Sequence, residues 1–135
     1  MMVVAGFAMS SCNNSTGNTS ESQKEVQEAN LVVYYFHYTR RCATCNAVEN
    51  VTREALAEYY ADKVKKGDIT FESINIEEKE GEAKADKLKI AGQALIVQKG
   101  DNQTDLTDKG FLYAMSEPAK LKAELKTAID AALKQ

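Results

Sequence analysis

From Leu31 to Phe36 the chain is apolar without a break, Leu-Val-Val-Tyr-Tyr-Phe, and the run stops at His37. A short continuous run of β-branched and aromatic residues predicts a strand buried on both faces, hence the central strand of a sheet. After the polar Tyr38-Thr39-Arg40-Arg41, Val48, Val51, Ala55, Leu56 and Tyr59 recur at spacings of three and four, which predicts a long helix from Cys42 to about Lys66. Lys63, Lys65 and Lys66 followed by Gly67 suit its carboxyl end, where cations meet the negative pole of the dipole and glycine takes a left-handed cap. Ile69 to Ile76 alternates and reads as a second strand, parallel to the first, completing a right-handed βαβ unit. Glu77 to Leu88 is charged and helix-prone, with Ala83, Ala85 and Leu88 as its apolar content. Gln93 to Gln98 is a third strand, and Lys99-Gly100-Asp101-Asn102 supplies turn residues for a hairpin into a fourth around Thr104 to Thr107. Ser116 is placed to N-cap a last helix with Glu117 and Pro118 in its first turn, and Leu121, Leu125, Ile129 and Leu133 follow every four residues. The expectation is an α/β fold: a mixed sheet of about four strands, βαβ then β-hairpin, flanked by helices.

The amino end is a different material. Residues 1–20 carry no charged side chain, and Met1 to Met9 is an apolar run. It is far short of the roughly 20 residues that span a bilayer, but of the right size for the core of a secretory signal. The run ends in Met9-Ser10-Ser11-Cys12, which resembles the lipobox of bacterial lipoproteins, where small residues precede a cysteine that is lipidated and becomes the new amino terminus. No Lys or Arg precedes the run, so the true start is expected upstream. On this reading residues 1–11 are a signal segment, 12–28 the lipidated Cys12 with a polar tether, and 29–135 the folded domain. The protein would then face the oxidising side of a bacterial envelope, touching the membrane only through Cys12.

With 135 residues there is room for one domain. The 17 basic and 20 acidic side chains give a net charge of -3, which disfavours nucleic acid as the main partner. There is no glycine-rich phosphate loop after a strand and no His-Glu-x-x-His, so neither a nucleotide nor any other cofactor is expected.

With Cys12 assigned to the lipobox, the remaining cysteines form one motif, Cys42-Ala43-Thr44-Cys45. A C-x-x-C where a buried strand passes into a helix puts two sulfurs a turn apart, within disulfide reach. Cys42 would sit at the helix amino terminus, where unpaired N–H groups and the dipole favour a thiolate, and Arg40 and Arg41 add positive charge. That makes Cys42 the candidate nucleophile and Cys45 the resolving thiol. Glu49, four residues beyond Cys45, and His37, at the end of the strand, could exchange a proton with a leaving thiol. The simpler readings are a solvated helix acid and a hydrogen-bonded structural histidine. A permanent staple is the bland alternative for the pair itself, but so short a loop would yield little stabilisation.

Element order and motif together resemble the thioredoxin-like superfamily over about residues 30–135. More narrowly, Tyr35-Phe36-His37 with Thr39 to Asn46 and Val48-Glu49 resembles a small bacterial thioredoxin-like family. Its members are often labelled nitrophenyl-compound nitroreductase subunits or associated with arsenic-resistance operons. The resemblance implies a thioredoxin fold, a dithiol site and partners that are protein thiols, disulfides or a redox protein. The sequence departs from thioredoxins at three places. The cis-proline that faces their dithiol is missing from Ala91-Gly92-Gln93-Ala94-Leu95, so Ala94 or Gln93 takes its position. No carboxylate lies between Leu31 and Arg41, and Arg41 replaces the tryptophan before the first cysteine. Since that proline helps keep metals off the dithiol, its absence leaves a second reading, in which Cys42 and Cys45 bind a soft metal or trivalent arsenic. A third is a non-catalytic thioredoxin-like subunit of a larger reductase.

Overall fold

The computed structural model describes residues 30–135. The signal segment, Cys12 and the tether lie outside the described residues. The elements run β1 (Leu31–His37), α1 (Ala43–Lys66), β2 (Ile69–Asn75), α2 (Lys79–Leu88), β3 (Ala94–Lys99), β4 (Asn102–Asp105), α3 (Thr107–Tyr113) and α4 (Pro118–Leu133). One sheet has the order β2-β1-β3-β4, with β1 parallel to β2 and antiparallel to β3, and β3 antiparallel to β4. The expected α/β architecture of a four-stranded mixed sheet with flanking helices is therefore present.

β1 holds the centre because both of its faces are apolar. Leu31, Val33 and Tyr35 join Leu95 and Val97 under Val48, Val51, Ala55 and Leu56 of α1 and Leu121, Leu125 and Ile129 of α4. Tyr34 and Phe36 join Ala94 and Ile96 under Ala85 of α2 on the other face. Burial of this kind contributes about 25 cal/mol per Å² of apolar surface, and it fixes the register, because a one-residue slip would exchange the two faces.

α1 ends as its sequence predicts. Gly67 adopts φ 84°, and backbone N–H groups at the cap return to the carbonyls of Lys63 and Val64. Several expectations need correction. Tyr59 is exposed, and Tyr60 is buried in its place. The backbone leaves helical geometry at Tyr60 (φ -134°, ψ 24°), and its hydroxyl donates to the Lys126 carbonyl at 3.2 Å and the Asp130 carboxylate at 2.6 Å. Ala83 is exposed; Gly81 and Ala85 face the sheet. β4 lies two residues earlier than expected. The Asp105 carboxylate accepts from Thr107 through both its backbone N–H (2.8 Å) and its hydroxyl, so the chain turns there and Thr107 opens a helix that the pattern did not predict. Ser116 does not cap α4, since its hydroxyl donates back to Leu112 and Glu117 holds the cap position without a side-chain bond. Pro118 occupies the first turn, as expected.

Candidate functional site

β1 runs out at His37, and the loop that follows must deliver Cys42 to the start of α1. Two groups at the end of β2 fix it. Asn75 Nδ2 donates to Thr39 Oγ1 at 2.9 Å, and the Thr39 N–H donates to Glu77 Oε2 at 2.7 Å. The Thr39 hydroxyl, and after it this N–H, lower the Glu77 pKa. Gly81 lets α2 lie against this corner: a Cβ there would stand 1.9 Å from the Asn75 carbonyl oxygen.

Cys42 is the N-cap residue of α1 (φ -87°, ψ 166°), and its Sγ accepts the Cys45 N–H at 3.1 Å. Sulfur thus takes the role that a serine or aspartate oxygen takes at other helix starts. The first turn carries no acidic residue, so no carboxylate within it offsets the positive end of the dipole. Cys42 and Cys45 form a disulfide with Cα atoms 5.0 Å apart. Cys42 is exposed while Cys45 is 3% exposed, so an incoming partner meets the outer sulfur first.

The turn beneath Cys45 is held from the sheet. The fully buried Tyr35 donates its hydroxyl to the Cys45 carbonyl at 3.0 Å, and burial raises the phenol pKa, which keeps the donor protonated. Arg41 lies over the Tyr35 ring at 5.5 Å and donates Nη2 to Glu49 Oε2 at 2.6 Å. Arg53, stacked over Phe71 at 4.5 Å, donates to the other Glu49 oxygen from Nε (3.1 Å) and Nη2 (2.8 Å). Burial alone would raise the Glu49 pKa, but the bonds from Arg41, Arg53 and the Ser73 hydroxyl outweigh it and hold it below the ordinary value.

Glu49 is accordingly neither a freely solvated acid nor placed as a ready base: both oxygens are occupied and its basicity is reduced. Its geometric effect is to fix the Arg41 charge beside the first turn of α1. Arg40 is exposed. His37 donates Nδ1–H to the Tyr38 carbonyl at 3.0 Å, a local bond of the structural kind. Ala94 pairs with Phe36 and packs in the cluster under α2, not the one beneath α1. Its neighbour Gln93 reaches the dithiol instead, with Oε1 3.6 Å from Cys45 Sγ. There is no cis peptide bond among the described residues. No group of three His, Cys, Asp or Glu side chains able to hold a metal ion occurs among them either. Any metal on this site would start from the two sulfurs, whereas a closed zinc site takes four ligands.

Tyr35, Arg53, Asn75 and Glu77 were not singled out for these contacts by sequence reasoning, which offered Gln93 only as one of two residues for the position facing the dithiol. Arg53 stands four residues from Glu49 on α1, a pairing within reach of helical spacing; the other contacts join different elements, which the pairing of β1 with β2 and β3 brings together.

No family model matches this chain, and no curated protein matches it. Among solved structures it is similar to thioredoxin O2 from Arabidopsis thaliana in its oxidized state, with a TM-score of 0.52 and 20% identity over 73% of this chain and 75% of that one. It is also similar to a malarial protein, with a TM-score of 0.42 and 14% identity over 65% of this chain and 96% of that one. The likeness to thioredoxin O2 shows the fold, which is thioredoxin-like.

Proposed function

We propose that the protein is an envelope-anchored thiol–disulfide oxidoreductase in which Cys42 is the nucleophile and Cys45 the resolving thiol. The observation that carries this reading is the Cys42–Cys45 disulfide at the N-cap of α1, with the outer cysteine exposed and the inner one buried, on a thioredoxin-like fold. The Cys42 thiolate attacks a substrate disulfide, the substrate S–S bond breaks, and one substrate thiolate leaves and takes a proton. Cys45, deprotonated, then attacks the Cys42 sulfur of the mixed disulfide. The second substrate thiolate leaves and is protonated, and the Cys42–Cys45 disulfide forms. Two electrons pass from dithiol to substrate, and the same steps reversed oxidise a substrate dithiol.

Anchoring in the envelope rests on the apolar run Met1–Met9 and the Met9-Ser10-Ser11-Cys12 sequence, with the polar segment behind it as tether. The narrower likeness to the nitroreductase- and arsenic-associated family rests on the residues from Tyr35 to Glu49. Expression of Cys45→Ser, which leaves the mixed disulfide unresolved, tests the chemistry. Adducts with envelope proteins that dithiothreitol releases and that Cys42→Ser abolishes are expected. A Cys45→Ser protein that forms no adduct contradicts the proposal, and stoichiometric metal in the anaerobically purified wild type would favour the soft-metal reading.

A further inference from the structure

The dithiol of this chain lacks a nearby buried acid on β1, and the side chain that meets the inner sulfur is an amide. Gln93 closes the loop that leads into β3, whose Ala94 lies opposite Phe36 at the end of β1. That pairing sets the half-buried Gln93 beside the loop that carries Cys42 and Cys45, and its Oε1 stands 3.6 Å from Cys45 Sγ. In the disulfide this sulfur has no proton to give, so the approach is a contact only. On reduction the sulfur gains one and meets an acceptor already in place, within the longer reach of a sulfur hydrogen bond. Cys45 is almost completely buried, so few water molecules compete for that proton.

From this contact we propose that Gln93 is a positioning residue that acts through Cys45: its carboxamide accepts a hydrogen bond from the Cys45 thiol in the dithiol state and releases it in the disulfide. This deepens the oxidoreductase reading and rests on it. Because the bond exists only in the reduced protein, it stabilises that state and makes the disulfide the stronger oxidant. It also divides labour between the sulfurs, keeping Cys45 protonated while Cys42, at the helix N-terminus, is the thiolate. An amide takes up no proton near neutrality, so the Cys45 proton must leave to solvent or to the departing thiolate before resolution.

The test compares the full-length wild type with Gln93→Leu and Gln93→Glu in glutathione titrations under metal-free conditions. Gln93→Leu keeps the bulk and removes the acceptor. Its dithiol–disulfide equilibrium should shift toward the disulfide by about fivefold, which is about 20 mV more reducing. Gln93→Glu supplies a stronger acceptor and should shift it in the opposite direction, while raising the pH at which Cys45 in Cys42→Ser is alkylated. A loss of packing alone would not reverse sign between the two variants. Equal potentials for all three proteins, each folded by circular dichroism, would overturn the proposal while leaving the oxidoreductase reading intact. A wild type that does not titrate reversibly would overturn both.

Discussion

Two sulfurs three residues apart differ here in almost everything that governs reactivity. Cys42 is exposed and caps α1, while Cys45 is buried and flanked by Tyr35 and Gln93. In the reduced protein iodoacetamide should modify Cys42 on the order of tenfold faster than Cys45, with a pH midpoint below the roughly 8.5 of a free thiol. Mass-spectrometric mapping of the alkylated peptides checks this, and equal rates would contradict the assignment of roles. Glu49 carries a separate expectation. Its folded pKa is depressed below 4.5, so its stabilising contribution is complete above the unfolded value and is lost as pH falls through the lower folded value. Glu49→Gln should cost about 2 kcal/mol at pH 7, through loss of charged hydrogen bonds to Arg41 and Arg53. It should also flatten the acid limb of the denaturation curve measured from pH 5 downward. The motif Cys42-Ala43-Thr44-Cys45 was legible in the sequence because its spacing is local. Gln93 was legible only as a position near the dithiol, since its partner lies 48 residues away and the contact depends on β1 and β3 pairing in register.

At the scale of elements, the strongly patterned segments appeared where the sequence put them. The unbroken apolar run made β1 central, and the four-residue spacing of Leu121, Leu125 and Ile129 gave α4 its buried face. The failures have local causes. α3 has only seven residues, too few for a periodicity, and its start is set by the turn at Asp105. The apolar stripe of α1 shifts from Tyr59 to Tyr60 because the helix breaks there, and a hydroxyl finding Asp130 on α4 is invisible to hydropathy. Gly81 illustrates a constraint that composition hides. An added Cβ meets backbone rather than a flexible side chain, so Gly81→Ala should destabilise the protein by about 3 kcal/mol despite the better helix propensity of alanine. Urea denaturation checks it, and an unchanged or higher midpoint would mean that α2 does not seat against Asn75 as described. Because Asn75 and Glu77, at the corner on which Gly81 seats α2, hold Thr39, the same variant should also speed alkylation of Cys45 in the reduced protein.

For the whole molecule, the disulfide contributes modestly to stability, because the core between the sheet and its helices does not depend on it. A loop this short is worth roughly 2 kcal/mol by chain entropy. Reduction should therefore lower the melting temperature by on the order of 10 °C, with the circular dichroism spectrum unchanged. A fold that can lose and regain the bond without unfolding is what a redox cycle requires, and a staple would show the reverse pattern. The most direct measurement is a metal-free glutathione and dithiothreitol titration of the full chain, with the Cys42–Cys45 state read by thiol trapping. A single reversible two-electron transition between about -120 and -270 mV, the span of thiol–disulfide oxidoreductases, is the expected result. A pair that stays oxidised to below about -300 mV, as permanent structural disulfides do, would contradict the account.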